Sequence, residues 1–304
     1  MKESKVYAVV ISYNPNVELL DAEYKSIVYQ VDTIIYVDNN SVNRDDVSEW
    51  CFGKKNAILI CMDNNEGIGA AQNAGIKKAL QDGASHVVIF DQDTVVNEGF
   101  VEALMSAENK AIEDGINVGI TGPIYFAHDD GFPYPILTIE NGRYKTVAPT
   151  DFEHYYTVSH LIASGELIRR EVLEKCGLMR EDYFIEYVDY EYCFRICKRG
   201  YKCIVTNKAS MQHQMGDRQI MIRGRKVGIY SPFRRYFTCR NSLLIQRENV
   251  YPVVFKRRYL ILSLGKFVIS LLYGPKRFSQ LRYCCKGYWD GILRRSGKCS
   301  ILSN

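Results

Sequence analysis

The stretch VVIFDQDT, residues 87–94, runs from four apolar residues directly into two aspartates that are separated by one glutamine. A short, β-branched apolar run of this kind is typical of a strand that is buried on both faces. Ligands bind beyond the carboxyl ends of the strands in open α/β sheets. Asp91 and Asp93 are therefore the first candidate functional residues.

The first 120 residues repeat a strand–helix alternation around this stretch. Continuous apolar runs predict the buried strands VYAVVIS (6–12), TIIYVD (33–38), AILICM (57–62) and HVVIF (86–90). The small-residue segment 66–80 predicts a helix, and Asn14 with Pro15 is the expected start of the first helix. The alternation predicts an α/β protein with a mostly parallel sheet and helices on both faces.

Composition indicates an ordinary folded protein with an uneven distribution of charge. The chain has 304 residues, of which 47% are hydrophobic and 24% charged. Residues 218–304 hold nineteen Lys and Arg against two acidic residues, whereas residues 1–217 hold 20 basic against 33 acidic residues. We expect the basic segment to have an anionic partner. Irregularly spaced cysteines and an N-terminus without an apolar signal core predict reduced thiols and a cytoplasmic protein.

The two aspartates of FDQDT are predicted to share a divalent cation. Side chains two positions apart on an extended backbone point the same way, and adjacent carboxylates repel unless a cation lies between them. Carboxylate oxygens suit Mg²⁺ or Mn²⁺, and Mg²⁺ in particular bridges to substrate phosphates. The alternative is that Asp91 and Asp93 only cap a turn or the next helix.

Six ordered segments resemble the family 2 glycosyltransferases of the GT-A fold, and among them bacterial rhamnosyltransferases that use dTDP-L-rhamnose. The segments are VVISYNP, VDNNS, NNEGIGAAQNAGI, FDQDT, SGELIRREVLEKCG and YFIEYVDYEYCFRICKRGYK. The resemblance covers roughly residues 5–245, and its specificity lies in the order of the segments. It implies a nucleotide-sugar half at about 1–120, an acceptor half at about 121–217, and metal-dependent transfer of a sugar to a hydroxyl with inversion.

The resemblance implies that the donor nucleotide contacts Tyr13, Asp38, Gly67, Asn73, Asp91 and Gln92. Asp38 would accept a hydrogen bond from the imide N–H of the pyrimidine base; the alternative is a turn aspartate. Tyr13 either stacks on the base or packs against the sheet, and Gly67 with Gly69 lets a backbone approach a ligand closely. Gln72 stands where a dinucleotide fingerprint needs a third glycine, which disfavours an NAD-dependent dehydrogenase.

By the same resemblance, Asp189 in YVDYEYCFR is the general base on the acceptor hydroxyl. Val188 replaces the first acid of the family's acidic pair, a departure that leaves the base itself in place. An ordinary helix N-cap is the alternative for Asp189. Inversion requires a base on one face of the sugar and a stabilised leaving diphosphate on the other.

The resemblance also implies the remaining site residues. His213 in SMQHQMGD would complete the metal site, and the turn at Ser164 and Gly165 would lie near the donor diphosphate. Glu191 and Arg195 are the other candidates for acceptor or diphosphate contacts. The other four histidines are expected to be surface or packed residues.

The basic segment 218–304 is predicted to be helical and to lie at a membrane interface. Its longest apolar run, YLILSLGKFVISLLY (259–273), is interrupted by Lys266 and is shorter than the ~20 residues of a spanning helix. Basic, aromatic and apolar residues together are typical of interfacial helices, and the apolar content disfavours nucleic acid. The alternative is a helical hairpin packed on the preceding domain, with its basic residues solvated.

The resemblance implies a polyprenyl-diphosphate-linked glycan as acceptor, an O-antigen or other surface polysaccharide as product, and a peripheral location at the inner leaflet of the plasma membrane. Three alternatives stay open at this stage. A UDP-sugar such as UDP-galactofuranose could be the donor, and a non-catalytic membrane or nucleic-acid adaptor could use the same fold. A nucleotidyltransferase would also need paired aspartates, but SYNPNVE (12–18) lacks its glycine-rich loop.

Overall fold

The structure is a computed structural model that describes residues 4–126, 133–212, 218–222, 225–274 and 276–299. The strands are β1 (Val6–Ser12), β2 (Thr33–Asp38), β3 (Ala57–Cys61), β4 (His86–Asp91), β5 (Val95–Val96), β6 (Val118–Phe126), β7 (Ile136–Glu140), β8 (Arg143–Val147), β9 (Tyr156–Val158), β10 (Leu167–Arg169), β11 (Lys202–Gln212), β12 (Arg218–Ile222) and β13 (Arg225–Ile229). The α-helices are α1 (Val17–Ile27), α2 (Arg44–Cys51), α3 (Ile68–Gln81), α4 (Phe100–Glu113), α5 (Arg170–Cys176), α6 (Val188–Lys198), α7 (Pro232–Leu244), α8 (Val253–Tyr273) and α9 (Arg277–Ile292).

One mixed sheet organises the chain, in the order β3-β2-β1-β4-β10-β6-β11-β5, with β9 also paired to β11. Strands β1 to β4 are mutually parallel, as are β6 and β11. Strand β10 lies antiparallel between β4 and β6. The predicted α/β class with a mostly parallel sheet is confirmed.

Helices cover both faces of the sheet because its strands are apolar on both sides. Val9 and Ile89 point into a core shared with α3, α5 and α6. Their neighbours Val10 and Phe90 point into a second core shared with α1, α2 and α4. This alternation follows from the two-residue period of a strand. Helix α3 lies very close to β1, since a Cβ atom at Gly75 would stand 2.4 Å from a methyl carbon of Val9.

Two local predictions are wrong. The first helix begins after Asn16, whose side chain accepts hydrogen bonds from the N–H groups of Glu18 and Leu19, so Asn16 and not Asn14 is its cap. The backbone also leaves the extended conformation directly after Asp91. The N–H of Thr94 donates to the carbonyl of Asp91 at 3.2 Å, which closes a turn over residues 91–94. An extended backbone therefore does not align the side chains of Asp91 and Asp93.

The C-terminal segment packs on the preceding domain. It begins with the β12–β13 hairpin, which the sequence pattern does not predict, and continues with α7, α8 and α9. Asn241 on α7 donates from its side-chain amide to the carbonyls of Tyr183 and Ile185 at 3.1 and 2.8 Å. In the described part of the chain, no helix is both long and apolar enough to cross a membrane. The nine cysteines from Cys51 to Cys285 are free thiols.

Candidate active site

The polar residues that follow the strands meet at one edge of the sheet. Ser12 and Asp38 are direct neighbours in the β1–β2 register, and Asp91 pairs with Ile11 on the other side of β1. Three strands thus end side by side, as the parallel order requires. A nucleotide laid across this edge could reach both Asp38 and Asp91.

The loop that leads into the antiparallel strand β10 completes the edge of the sheet beside β4. Gly165 has a φ of 84°, a left-handed conformation that glycine adopts without strain, and its N–H donates to the carbonyl of Ile89 at 2.7 Å. The Ser164 hydroxyl accepts from the N–H of Asp91 at 3.2 Å and lies 2.9 Å from the Thr94 hydroxyl. Ser164 and Gly165 therefore hold the 91–94 turn in place.

Side chains also connect the loops that border the edge. The Gln92 side chain accepts from the backbone N–H of Tyr13 at 2.7 Å, which ties the loop after β1 to the turn after β4. The Asn14 side chain accepts from the N–H of Val42 at 2.8 Å, which ties the same loop to the one after β2. The Tyr13 ring is 47% exposed, so it is accessible to a ligand.

Asp38 is fully buried and only partly satisfied. Its Oδ2 accepts from the N–H of Ser41 at 3.0 Å and pairs with Nε of Arg44 at 3.3 Å. Its Oδ1 is buried and has no hydrogen-bond partner among the described residues. The turn contact uses one oxygen of the carboxylate, which leaves the other oxygen for the predicted contact with the nucleotide base. A buried acceptor without a donor is costly, which suits a ligand N–H.

Asp189 is the second residue of α6 and is not its N-cap, which is Tyr187. Burial, together with the charges of Glu186 and Asp91, raises the pKa of Asp189 to about 7. A carboxyl group with a pKa near neutrality suits a general base, and the interaction with Asp91 places it at the same edge.

The segment before Asp189 is strained. Phe184, Glu186 and Tyr187 have φ values of 67°, 67° and 70°, a left-handed conformation that is unfavourable for residues with a side chain. Such strain persists only where the surroundings enforce it, and it clusters at functional sites. Here α7 enforces it, because Asn241 donates to the carbonyl of Glu186 as well.

In the segment NNEGIGAAQNAGI (64–76), Gly67 and Asn73 contact other parts of the protein. A Cβ atom at Gly67 would stand 2.4 Å from the carbonyl oxygen of Phe184, so glycine is required for this close packing. The Asn73 amide donates to the carbonyl of Met179 and to Glu181 at 2.8 Å each, and accepts from the N–H of Met179. These contacts give both residues a structural role, and their nucleotide contacts stay predictions.

Glu191 and Arg195 form a buried ion pair on α6. Nε of Arg195 lies 2.9 Å from Oε1 of Glu191, and its Nη2 donates to the carbonyl of Leu178 at 2.7 Å. The pair fixes the segment that leads to the strained turn. Contacts of Glu191 or Arg195 with a substrate stay predictions.

The residues at the edge fit a divalent metal. Asp91 is partly buried and Asp93 is exposed, and both offer the hard oxygen ligands that Mg²⁺ and Mn²⁺ prefer. Among the described residues, no three His, Cys, Asp or Glu side chains form a metal-binding group. Two carboxylates are a sufficient protein share when substrate phosphates and waters supply the rest. His213 lies outside the described residues.

Comparisons with known proteins agree with this geometry. The family model of glycosyl transferase family 2 matches residues 7–177. The dTDP-rhamnosyl transferase RfbF of Shigella flexneri is 34% identical over 297 residues, which are 97% of each chain. The chain belongs to glycosyl transferase family 2. This member of family 2 is therefore a glycosyltransferase, which confirms the resemblance of the six segments.

More distant relatives support the same fold. The hexosyltransferase Agl10 of low-salt glycan biosynthesis in Haloferax volcanii is 21% identical over 87% of this chain and 84% of that protein. The structure of GalNAc-T7 with UDP, GalNAc and Mn²⁺ matches 90% of this chain and 58% of that one, with a TM-score of 0.58 and 13% identity. Staphylococcus aureus TarS 1–349 with UDP-GlcNAc matches 96% and 81%, with a TM-score of 0.53 and 15% identity. The fold of this family 2 enzyme is GT-A.

Sequence reasoning missed two residues of the site. Arg44 pairs with Asp38, and its position six residues later in the chain is the signal that could have suggested a contact. Glu186 interacts electrostatically with Asp189, but its place depends on the strained turn and on α7, which no local pattern reveals.

Proposed function

We propose that this enzyme transfers L-rhamnose from dTDP-L-rhamnose to a hydroxyl of a polyprenyl-diphosphate-linked glycan, with inversion at the anomeric carbon. The observation that carries the donor assignment is the 34% identity with a dTDP-rhamnosyl transferase over 97% of the chain, including the C-terminal helices. The product would be an O-antigen or another surface polysaccharide.

In this proposal the thymine base lies at the carboxyl edge of β2, where its imide N–H donates to Oδ1 of Asp38. That oxygen is buried and has no partner among the described residues, and Arg44 pairs with the other oxygen of the carboxylate. Tyr13 borders the same position with its exposed ring. A charge-assisted hydrogen bond in a buried place contributes about 1.5–3 kcal/mol.

Asp91 and Asp93 would hold Mg²⁺ or Mn²⁺ at the end of β4, with His213 as a third predicted ligand. When bound there, the ion would neutralise the charge that develops on the leaving nucleotide diphosphate. The Ser164 hydroxyl helps to hold Asp91 at this position by accepting a hydrogen bond from its backbone N–H.

Asp189 would act as the base. Its carboxylate takes the proton of the acceptor hydroxyl while the hydroxyl oxygen attacks the anomeric carbon and the nucleotide diphosphate leaves from the opposite face. With a pKa of about 7, about half of the Asp189 carboxyl groups are deprotonated at neutral pH, and these are basic enough to accept the proton. No covalent sugar intermediate is needed.

The exposed surface of the C-terminal helices supports a membrane-bound acceptor. Helix α8 buries Ser263 and Ser270, whereas Leu264, Val268 and Leu272 are 50%, 52% and 56% exposed and lie on one face of the helix. On α9 the residues Phe278, Leu281, Trp289 and Ile292 are likewise exposed at helical spacing. Exposed basic residues around these faces complement the anionic cytoplasmic leaflet of the plasma membrane. We therefore propose a peripheral location at that leaflet.

A panel of nucleotide sugars tests the donor assignment. Thermal unfolding with dTDP-L-rhamnose, other dTDP-sugars and UDP-sugars, each with and without Mn²⁺, should show the largest metal-dependent protection by dTDP-L-rhamnose. Stronger protection by UDP-galactofuranose would favour the UDP-sugar alternative. Metal-independent or absent protection by every nucleotide would favour a non-catalytic adaptor.

A further inference from the structure

Three cationic side chains of the C-terminal segment converge on one tyrosine ring. Cζ of Arg234, Cζ of Arg235 and Nζ of Lys266 lie 4.6, 5.1 and 5.7 Å from the centre of the Tyr230 ring. The two arginines belong to the first turn of α7, and the lysine lies in the middle of α8. We refer to Tyr230, Arg234, Arg235 and Lys266 as the Tyr230 cluster.

The Tyr230 cluster contains more positive than negative charge. Among the residues that the structure describes, Glu186 is the carboxylate that pairs with it, at 2.5 Å from Nε of Arg234. Although burial raises it, the pKa of Glu186 lies below its ordinary value because Arg234, Lys266 and Arg235 surround the carboxylate. Among the described residues, three cations of the cluster thus face one acid.

Arg235 is the fully buried cation of the cluster. Its side chain is fully buried, and within the described part of the chain none of its three guanidinium nitrogens has a hydrogen-bond partner. Burial of a charged group without a partner is among the most costly arrangements in a protein. An anion that binds to the cluster, whose cations share the Tyr230 ring, would compensate the charge of Arg235.

The Tyr230 cluster lies next to the proposed base and to the proposed membrane face. Glu186, which Arg234 binds, stands three residues before Asp189 on the strained segment. Lys266 is half-buried on α8, the helix whose opposite face exposes Leu264, Val268 and Leu272. An anion held here would therefore lie between the reacting groups and the lipid surface.

We propose that the Tyr230 cluster binds a diphosphate group of a substrate. A diphosphate carries at least two negative charges and several acceptor oxygens, which suits two guanidinium groups and one ammonium group. The inference rests on the proposed glycosyl transfer, because both substrates of that reaction carry this group: the nucleotide diphosphate of the donor and the polyprenyl diphosphate of the acceptor.

Calorimetric titration of the full chain with inorganic pyrophosphate, with EDTA present, tests the cluster without any contribution from a metal at Asp91. The wild type should bind, and Arg235→Met and Lys266→Met should each bind about tenfold more weakly or worse, since each loses a charge-assisted interaction. Arg235→Lys should recover part of the binding, which a purely structural arginine would not explain. Arg282→Met, at an exposed arginine of α9, is the matched control and should bind like the wild type.

Two further titrations identify the source of the diphosphate. If Arg235→Met weakens the binding of dTDP with Mn²⁺, the donor occupies the Tyr230 cluster. If it weakens the binding of geranylgeranyl diphosphate in detergent micelles and leaves dTDP unaffected, the acceptor does. Equal pyrophosphate affinity of wild type and Arg235→Met, or no binding by the wild type, would overturn the inference. Neither result would affect thermal protection by dTDP-L-rhamnose, on which the proposed function depends.

Discussion

The carboxyl edge of the sheet and the helix α8 place polar residues in opposite ways. In the sheet the strands are apolar along their length, and the acids Asp38 and Asp91 stand where β2 and β4 leave the core. In α8 the polar residues Ser263 and Ser270 face the protein, while Leu264 is exposed. Polar residues at a strand end are exposed to water, where they can bind a soluble ligand. A helix that exposes its apolar side is stabilised when an apolar surface covers that side. The first arrangement supports the proposed binding of a soluble donor, and the second supports the proposed membrane-bound acceptor.

The largest effect is expected at the proposed base Asp189, which interacts with Asp91 at the sheet edge and with Tyr259 on α8. Asp189→Asn should lower kcat by about 10²- to 10⁴-fold, because the amide cannot accept the hydroxyl proton. Thermal protection by dTDP with Mn²⁺ should stay that of the wild type, which shows that the donor side is intact. A variant that transfers sugar at a near wild-type rate would remove Asp189 from the mechanism.

The next effect concerns the sheet edge. Asp38→Asn should weaken dTDP binding by about tenfold to a hundredfold, since the charged acceptor for the imide N–H is lost. Asp46→Asn, at an exposed carboxylate on the neighbouring helix α2, is the matched control and should leave the affinity unchanged. Unaltered dTDP affinity in Asp38→Asn would show that the thymine of dTDP binds elsewhere.

The membrane side is expected to show an effect of similar or smaller size. Leu264→Asp should lower the partition of the enzyme to anionic liposomes by about tenfold, because an apolar contact of about 1.5–3 kcal/mol is replaced by a charge. Sedimentation with liposomes at increasing salt measures it, and binding should weaken as salt is added. Val42→Asp, at an exposed valine far from α8 in sequence, is the control. Sedimentation of Leu264→Asp equal to that of the wild type would contradict the membrane contact.

The pH dependence gives the smallest effect. The pKa of Asp189 is raised to about 7 from an ordinary value near 4, so the basic form is lost as the pH falls below 7. kcat/KM should then fall about tenfold per pH unit on the acidic side. Because the pKa is higher in the folded state, ionisation of this carboxyl group destabilises the fold as the pH rises from about 4 through 7. The Tm of Asp189→Asn should therefore be higher than that of the wild type between pH 5 and pH 8. A kcat/KM profile that is flat from pH 5.5 to 8 would contradict this assignment.

The part of the sheet formed by β1 to β4 could be predicted from the sequence because these strands are continuous apolar runs that end at polar residues. All four predicted strands have bounds within one residue of those observed, and the acids at the ends of β2 and β4 meet as the parallel order requires. The start of α1 was misplaced because Asn14 and Asn16 are both good caps and only tertiary contacts decide between them.

The rest of the site depends on contacts between distant segments. The pairing of Arg44 with Asp38, the strain at Glu186 and the Tyr230 cluster all bring together residues that no local period relates. The segment 259–273 is apolar enough to predict a helix, but its sequence does not show whether Lys266 lies on the face that packs against the protein. Which face of the helix is buried depends on how the neighbouring helices pack against it.

A crystal structure of Asp189→Asn with dTDP-L-rhamnose and Mn²⁺ tests the central claim most directly. We predict thymine hydrogen-bonded to Oδ1 of Asp38 and a metal between Asp91, Asp93 and the donor diphosphate. A nucleotide bound elsewhere, with no metal at the end of β4, would contradict it.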